Sequence, residues 1–177
     1  MPNPGDSVVL EKTARRALVA WQNLGSDPSG IDWSTGAKKA DKGAARAGRI
    51  PSADGPERQH RSSVWKDTIS QTFGNGKSAE RARAGLEVAL ADEANPDVRD
   101  LGGGVDSLTF TTESIGTDTA TLTADATVWA AYASRQNNVW SYARPTNREV
   151  VVFQFARNGG KWALTDLTSS LADGTAP

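Results

Sequence analysis

The sequence predicts an α+β domain in which helices come first and a curved antiparallel sheet follows. Three observations predict it. Apolar residues recur every three to four positions as far as Leu90, they alternate every second position from Val105 onward, and Asn158-Gly159-Gly160 stands between two apolar runs as a hairpin turn.

Asp6 or Ser7 is placed to cap a first helix, in which Leu10, Ala14, Ala17, Leu18 and Trp21 recur at helical spacing and Glu11 faces Arg15 one turn on. Asn23, Leu24 and Gly25 end it, and Asp27-Pro28-Ser29-Gly30 forbids continuation. Residues 26–55 read as a long basic loop or insertion with one short helical turn over 38–47, a length uncommon inside a compact domain. Gly55-Pro56-Glu57 starts a second helix, since Pro suits the first helical position and an acid there meets the positive dipole end. Trp65, Ile69 and Phe73 form its buried stripe, and Gly74-Asn75-Gly76 stops it. Ser78 caps a third helix with Ala82, Leu86 and Ala89 inward and Glu80, Arg81, Arg83 and Glu87 toward water; Asn95-Pro96 closes the helical half.

Gly102-Gly103-Gly104 reads as a hinge between the halves. Strands over 105–114 and 119–134 flank the turn Ile115-Gly116-Thr117-Asp118. In the second, Ala120, Leu122, Ala124, Ala126, Val128, Ala130 and Tyr132 share one face, while Thr119, Thr121, Thr123, Asp125, Thr127 and Trp129 share the other. So long a strand must bend or bulge to stay in one domain. Residues 135–147, with Trp140 and Tyr142 among polar neighbours, read as a loop or ragged edge. The last two strands cover 149–157 and 161–169, joined by residues that tolerate positive φ, and 171–177 form a frayed, flexible tail.

A chain of 177 residues suits one domain, 1–177, with one core. Its net charge of -1 and isoelectric point near 5.8 give no whole-molecule attraction to nucleic acid or an anionic membrane. The segment 36–66 is locally cationic, with Lys38, Lys39, Lys42, Arg46, Arg49, Arg58, Arg61 and Lys66 against Asp41, Asp54 and Glu57, and reads as solvated loop. The absence of cysteine excludes disulfides, thiolate metal sites and a cysteine nucleophile. No apolar run is long enough to span a membrane, and the N-terminus lacks a leader pattern. Because Met1-Pro2-Asn3-Pro4-Gly5 looks like a chosen start, the expected location is either the cytoplasm or an extracytoplasmic domain whose leader or anchor was removed.

Three helices followed by a meander of about four strands, ending in Phe153-Gln154-Phe155-Ala156-Arg157-Asn158-Gly159-Gly160-Lys161-Trp162-Ala163-Leu164-Thr165-Asp166-Leu167, resemble the NTF2-like (SnoaL-like) superfamily. Within it, the chain looks most like extracytoplasmic NTF2-like accessory domains of actinobacteria. The resemblance covers residues 7–24 and 64–170; residues 26–55 lie outside its pattern. It implies an NTF2-like cone, a strongly curved antiparallel sheet around a pocket closed by three N-terminal helices. The superfamily hosts isomerases, hydrolases, cyclases and non-catalytic modules, so fold alone assigns no activity.

An enzyme of this fold needs an acid or histidine pointing into the cone, its pKa shifted toward neutrality by the apolar surroundings. The small-residue face of the long strand carries none, and the opposite face offers Asp125. Gln154 and Asp166 are the polar residues inside the last strands, and His60 is the single histidine, in a basic stretch at the start of the second helix. These four are the candidate catalytic residues. No zinc or haem set, phosphate loop or nucleophile elbow is present, so no metal and no cofactor are expected. Aromatic residues remain: Trp140 and Tyr142, in a polar segment where core packing is no explanation, lead the ligand-binding candidates, with Trp129, Tyr132 and Trp65 behind them.

The leading expectation is a non-catalytic module binding an apolar small molecule or a partner protein. The rival is a SnoaL-like acid/base isomerase, cyclase or hydrolase acting on a cyclic or polyketide-like substrate. A homodimer through the outer face of the sheet is compatible with either.

Overall fold

The computed structural model describes residues 3–28, 30–34, 55–92 and 94–173. Those residues form three helices, α1 (Asp6–Asn23), α2 (Gly55–Phe73) and α3 (Lys77–Asp92), followed by β1 (Val98–Ile115), β2 (Thr119–Gln136), β3 (Val139–Ala143), β4 (Thr146–Asn158) and β5 (Lys161–Leu171). All pairings are antiparallel, in the order β1-β2-β4-β5, with β3 continuing the β4 side of β2. This is the α+β architecture expected, with helices packed against a curved sheet. The short helical turn expected over 38–47 lies outside the described residues.

The core forms where the helical stripes meet the small face of the sheet. Leu10, Ala14, Leu18, Trp65, Ile69, Phe73, Ala82 and Leu86 pack on Leu122, Ala124, Val151, Phe153, Phe155, Leu164 and Leu167. Trp65, Ile69, Phe73, Leu122, Val151 and Phe153 are 0% exposed. A void large enough for water would give its lining accessible area, so none touches these side chains. The interior of the cone is therefore filled wherever they line it.

Both main hairpin turns occur as expected. Gly116 N–H donates to Thr119 O at 2.9 Å between β1 and β2, and Gly159 (φ 57°) and Gly160 (φ 79°) close the β4–β5 hairpin. A bulge at Thr165, where Gln154 pairs with Asp166 but Phe155 with Leu164, lets both Leu164 and Leu167 face the core.

Five expectations are corrected, four in the sheet half and the fifth at the start of α1. β1 begins at Val98, so Gly102-Gly103-Gly104 lies inside a strand and is no hinge. Close approach explains it. A Cβ on Gly103 would lie 2.3 Å from Gln22 O of α1, and one on Gly104 would lie 2.7 Å from the Trp129 indole. Second, residues 139–143 are a fifth strand, because Asn137 (φ 50°) and Asn138 (φ 62°) make a two-residue turn and Gln136 pairs with Val139. Third, the buried alternation of β2 changes phase: Ala130 and Tyr132 are exposed, whereas Trp129, Ala131 and Ala133 are buried. The change falls where β2 leaves β4, last paired at Trp129, and takes up β3 at Tyr132. Fourth, β5 runs through Leu171 and Ala172 N–H donates to Arg148 O at 2.9 Å, so these two residues belong to the sheet edge; residues 174–177 of the expected tail lie outside the described residues.

α1 is pinned at both ends. At its C-terminus the buried Asn23 amide donates to Val19 O (2.8 Å) and Gly103 O (2.7 Å) and accepts from Gly103 N–H (3.0 Å), which satisfies every group involved. At its N-terminus the expected side-chain cap is absent. Gly5 is the N-cap, and the Asp6 carboxylate instead accepts from Asn3 N–H (2.8 Å) and from Arg157 of β4.

Replacing Asn23 with Ala would leave the Gly103 amide and carbonyl buried and unpaired. Chemical denaturation of Asn23→Ala should show a loss of about 3 kcal/mol with an unchanged m-value. The Trp162 indole N–H, short of good hydrogen-bond geometry, then Asn3 and Arg157 favour the ionised Asp6 and hold its pKa below the ordinary carboxylate value. A depressed folded-state pKa contributes stability that is present above the unfolded pKa and disappears as pH falls through the folded one. Thermal melts from neutral to acid pH should therefore show a shallower acid-side decline for Asp6→Asn than for the parent, and parallel declines would refute the assignment.

Candidate functional site

Two surface regions gather the side chains that recognition or chemistry requires. The first is an open cleft of about 560 Å³ lined by Arg16 of α1, Asp27, Pro28 and Trp33 of the segment that follows it, and His60, Arg61, Val64 and Thr68 of α2. Helical periodicity places the α2 contributors together, since positions 60, 61, 64 and 68 fall on one face. Trp33 is half-buried and meets Trp65 edge-on, with ring centroids 6.5 Å apart, and the Arg16 guanidinium lies 4.5 Å over its ring. Trp65 is itself fixed, because its indole N–H donates to Ser26 O at 2.6 Å.

The second region is the tip of the β2–β3 hairpin. β3 pairs with β2 alone, so its other edge has no neighbouring strand among the described residues. The guanidiniums of Arg99 and Arg135 approach the Trp140 ring, at 6.0 Å and 5.3 Å from its centroid. Both cations are held from behind. Arg135 Nε donates to Asp97 at 2.8 Å, and Arg99 Nη1 donates to Asn95 O (2.8 Å) and Val98 O (2.6 Å). Tyr142, opposite Ala133, is half-buried on the same face as Trp140, and Val139 and Tyr132 are exposed on the other face of the hairpin.

The four candidate catalytic residues lie on four different elements. His60 is exposed at the rim of the cleft. Asp125 is exposed on the outer face of the sheet, in a depression of about 110 Å³ shared with Thr109, Thr127, Arg148 and Glu149. Glu149 is half-buried on the other face, in line with Val151 and Phe153, where burial raises its pKa against an opposing hydrogen bond from Ser169. Gln154 is also exposed, between the buried Phe153 and Phe155. Asp166 is its register partner across β4–β5, but its carboxylate accepts from Arg81 Nη1 (2.7 Å) and Leu167 N–H (3.0 Å), which ties α3 to the sheet.

Of the candidate ligand-binding residues, Trp140 and Tyr142 share one face of β3, and Tyr132 is exposed on the opposite face of the hairpin. Trp65 is core, although it backs the cleft through Trp33. Trp129 is buried flat over Gly104, its register partner, with Arg144 at 4.3 Å above the ring and Arg144 paired to Asp106 at 3.0 Å. Sequence reasoning missed Trp33 and Arg16. The signal was present in Trp33, a lone aromatic between Asp32 and Ser34 in a polar excursion, the same criterion that singled out Trp140. Among the described residues, no group of three or more His, Asp or Glu could hold a metal ion, and no helix is long and apolar enough to cross a membrane.

No protein-family model matches the chain, and no curated protein matches it. Among solved structures it is similar to the intermembrane-space region of the chloroplast protein ARC6, at 13% identity and a TM-score of 0.39 over 69% of this chain and 100% of that one. It is also similar to an NTF2-like protein with a cystatin-like fold from Novosphingobium aromaticivorans, at 17% identity and a TM-score of 0.31 over 55% of this chain and 56% of that one. A third similar structure is described as a calcium/calmodulin-dependent protein kinase II association domain from Xanthomonas campestris, at 14% identity and a TM-score of 0.33 over 71% of this chain and 93% of that one. At these scores none of the three assigns an activity.

If Asp166 is structural, as its two partners indicate, Asp166→Asn and Arg81→Gln should each lower the unfolding free energy by about 1 kcal/mol. The double variant should lose little more than either single one, because the two changes remove the same interaction. Additive losses in urea titrations would contradict the pairing.

Proposed function

We propose that the chain is a non-catalytic NTF2-like binding module that holds a partner protein through the tip of its β2–β3 hairpin. The observation that carries this reading is Trp140 on an edge strand with the Arg99 and Arg135 guanidiniums against its ring, while Val139 and Tyr132 are exposed on the other face of the same hairpin. Trp, Tyr and Arg are the side chains that dominate protein interfaces, because they bury much area with few rotatable bonds. The ion pair to Asp97 and the carbonyls of Asn95 and Val98 hold the stack in place before any partner arrives, which lowers the entropic cost of association. An edge strand adds backbone donors and acceptors for a partner segment.

Two further observations support a partner protein over the other readings. The space lined by Trp65, Ile69, Phe73, Leu122, Val151 and Phe153 is filled, which argues against an apolar small molecule held there. Proton-transfer catalysis would need desolvated, converging groups, whereas His60, Asp125 and Gln154 are exposed and Asp166 is engaged by Arg81.

A photo-reactive residue at position 140 or 142, expressed in cells of the source organism, should give a discrete cross-linked product, and one at Val88 on α3 should not. Purified with that partner, Trp140→Ala and Tyr142→Ala should each weaken binding by about tenfold, equivalent to ~1.4 kcal/mol, with an unchanged melting temperature. Loss of the melting temperature in step with affinity, or cross-linking from Val88 alone, would show that the stack serves only the hairpin.

A further inference from the structure

The cleft beside α2 is separate from the tip and carries its own chemistry. Two arginines and a histidine line it against a single carboxylate, Asp27. Arg61 is only 5% exposed, so one guanidinium lies at the floor, whereas Arg16 is exposed and spread over the Trp33 ring. Asp27 and Arg61 have partners within the chain, so Arg16 is the cation that sets ligand selectivity. Apolar surface is present as well: Trp33, Val64 and Pro28 share the lining. The volume falls within the range of small-molecule sites, roughly 300–1,000 Å³.

Position adds to composition. Trp33 is braced by Trp65, which is 0% exposed and hydrogen-bonded to Ser26. An aromatic wall held this way loses little freedom when a flat molecule packs on it. A guanidinium stacked on that wall retains its in-plane N–H donors, which match the two oxygens of a carboxylate and leave an apolar ring free to lie along the wall. A neutral molecule of the same shape would gain the apolar contact but not the paired hydrogen bonds, and a cation would meet repulsion from Arg16 and Arg61.

We propose that this cleft is a binding site for a small planar aromatic carboxylate, with Arg16 taking the carboxylate and Trp33 and Val64 taking the ring. The site stands independently of the partner-binding tip.

Isothermal titration calorimetry of the full chain with 2-naphthoate tests it, with 2-naphthamide as the neutral isostere. The naphthoate is expected to bind more tightly than the amide by about tenfold, the size of one charge-assisted pair. Arg16→Gln, an exposed substitution, should abolish that preference while the melting temperature holds. Trp33→Leu should weaken both probes together. Trp140→Ala should bind naphthoate as the parent does, which keeps this test distinct from that of the tip. Equal affinity for the two probes, a preference that survives Arg16→Gln, or no detectable heat from either probe at millimolar concentration would overturn the proposal.

Discussion

A buried chain of polar contacts at the end of α1 organises this molecule. The Asn23 amide closes on both backbone groups of Gly103, Ser26 N–H and Oγ return to Asn23 O at 3.0 Å and 2.8 Å, and Ser26 O accepts the Trp65 indole. Asn23, Ser26 and Trp65 are all 0% exposed. An uncapped helix C-terminus buried against a sheet would leave carbonyls without partners, a cost of a few kcal/mol each. Here the same atoms that solve that problem connect β1 to α1 and α1 to α2. Gly25 extends the junction to α3, since a Cβ there would lie 2.6 Å from the Ala89 Cβ. Gly103 completes it, because any side chain would lift the helix off the sheet.

Once α1 is fixed so close to β1, the rest of the sheet must bend around it. Three register shifts in β1 supply the curvature. Large aromatic rings then cover what the glycines leave bare. Trp129 lies over Gly104, and in this sheet tryptophans recur with an arginine on the ring: Arg144 on Trp129, Arg99 and Arg135 on Trp140, and Arg157 on Trp162 at 4.4 Å. Each such contact is worth about 0.5–1 kcal/mol at an exposed site. Their greater effect is on solubility and shape, since a guanidinium shields an indole face from water while keeping its own charge hydrated. The sheet therefore presents ordered Trp–Arg units in place of a bare apolar patch.

What was legible in the sequence was local. The stripe Trp65, Ile69 and Phe73 and the turns at Gly116 and Asn158-Gly159-Gly160 are written in adjacent residues, so period and turn chemistry were enough. Asn137-Asn138 was also a local signal, since Asn tolerates positive φ, but the polar and proline-containing surroundings masked a strand of five residues. Gly102-Gly103-Gly104 could not be read at all from its neighbours. Its reason lies in Gln22 and Asn23, some eighty positions away in sequence, and only tertiary contact turns a flexible tripeptide into a strand. The phase change in β2 has the same origin, because alternation reports one strand and the change is made by its partners. The candidate sites divide likewise. Trp140 was found by its polar setting, Trp33 was passed over in an identical one, and the Asp166–Arg81 pair joins elements whose packing no local pattern encodes.

The filled interior bears on how this fold is used here. A cone becomes an active site when its base is left empty and an acid or base is stranded there without water, since desolvation is what moves a carboxyl toward neutral pKa. In this chain that volume is taken by Trp65, Phe73, Leu122 and Phe153. Two acids have a raised pKa: Glu11, by its contact with Glu113 between α1 and β1, and Glu149, by burial on the face of β4 that also carries Val151 and Phe153. Filling that part of the cone gains core stability. At the perimeter, rigid elements support residues that do not carry the core, and a tryptophan braced by arginines or by another tryptophan needs no enclosed cavity to present a defined shape.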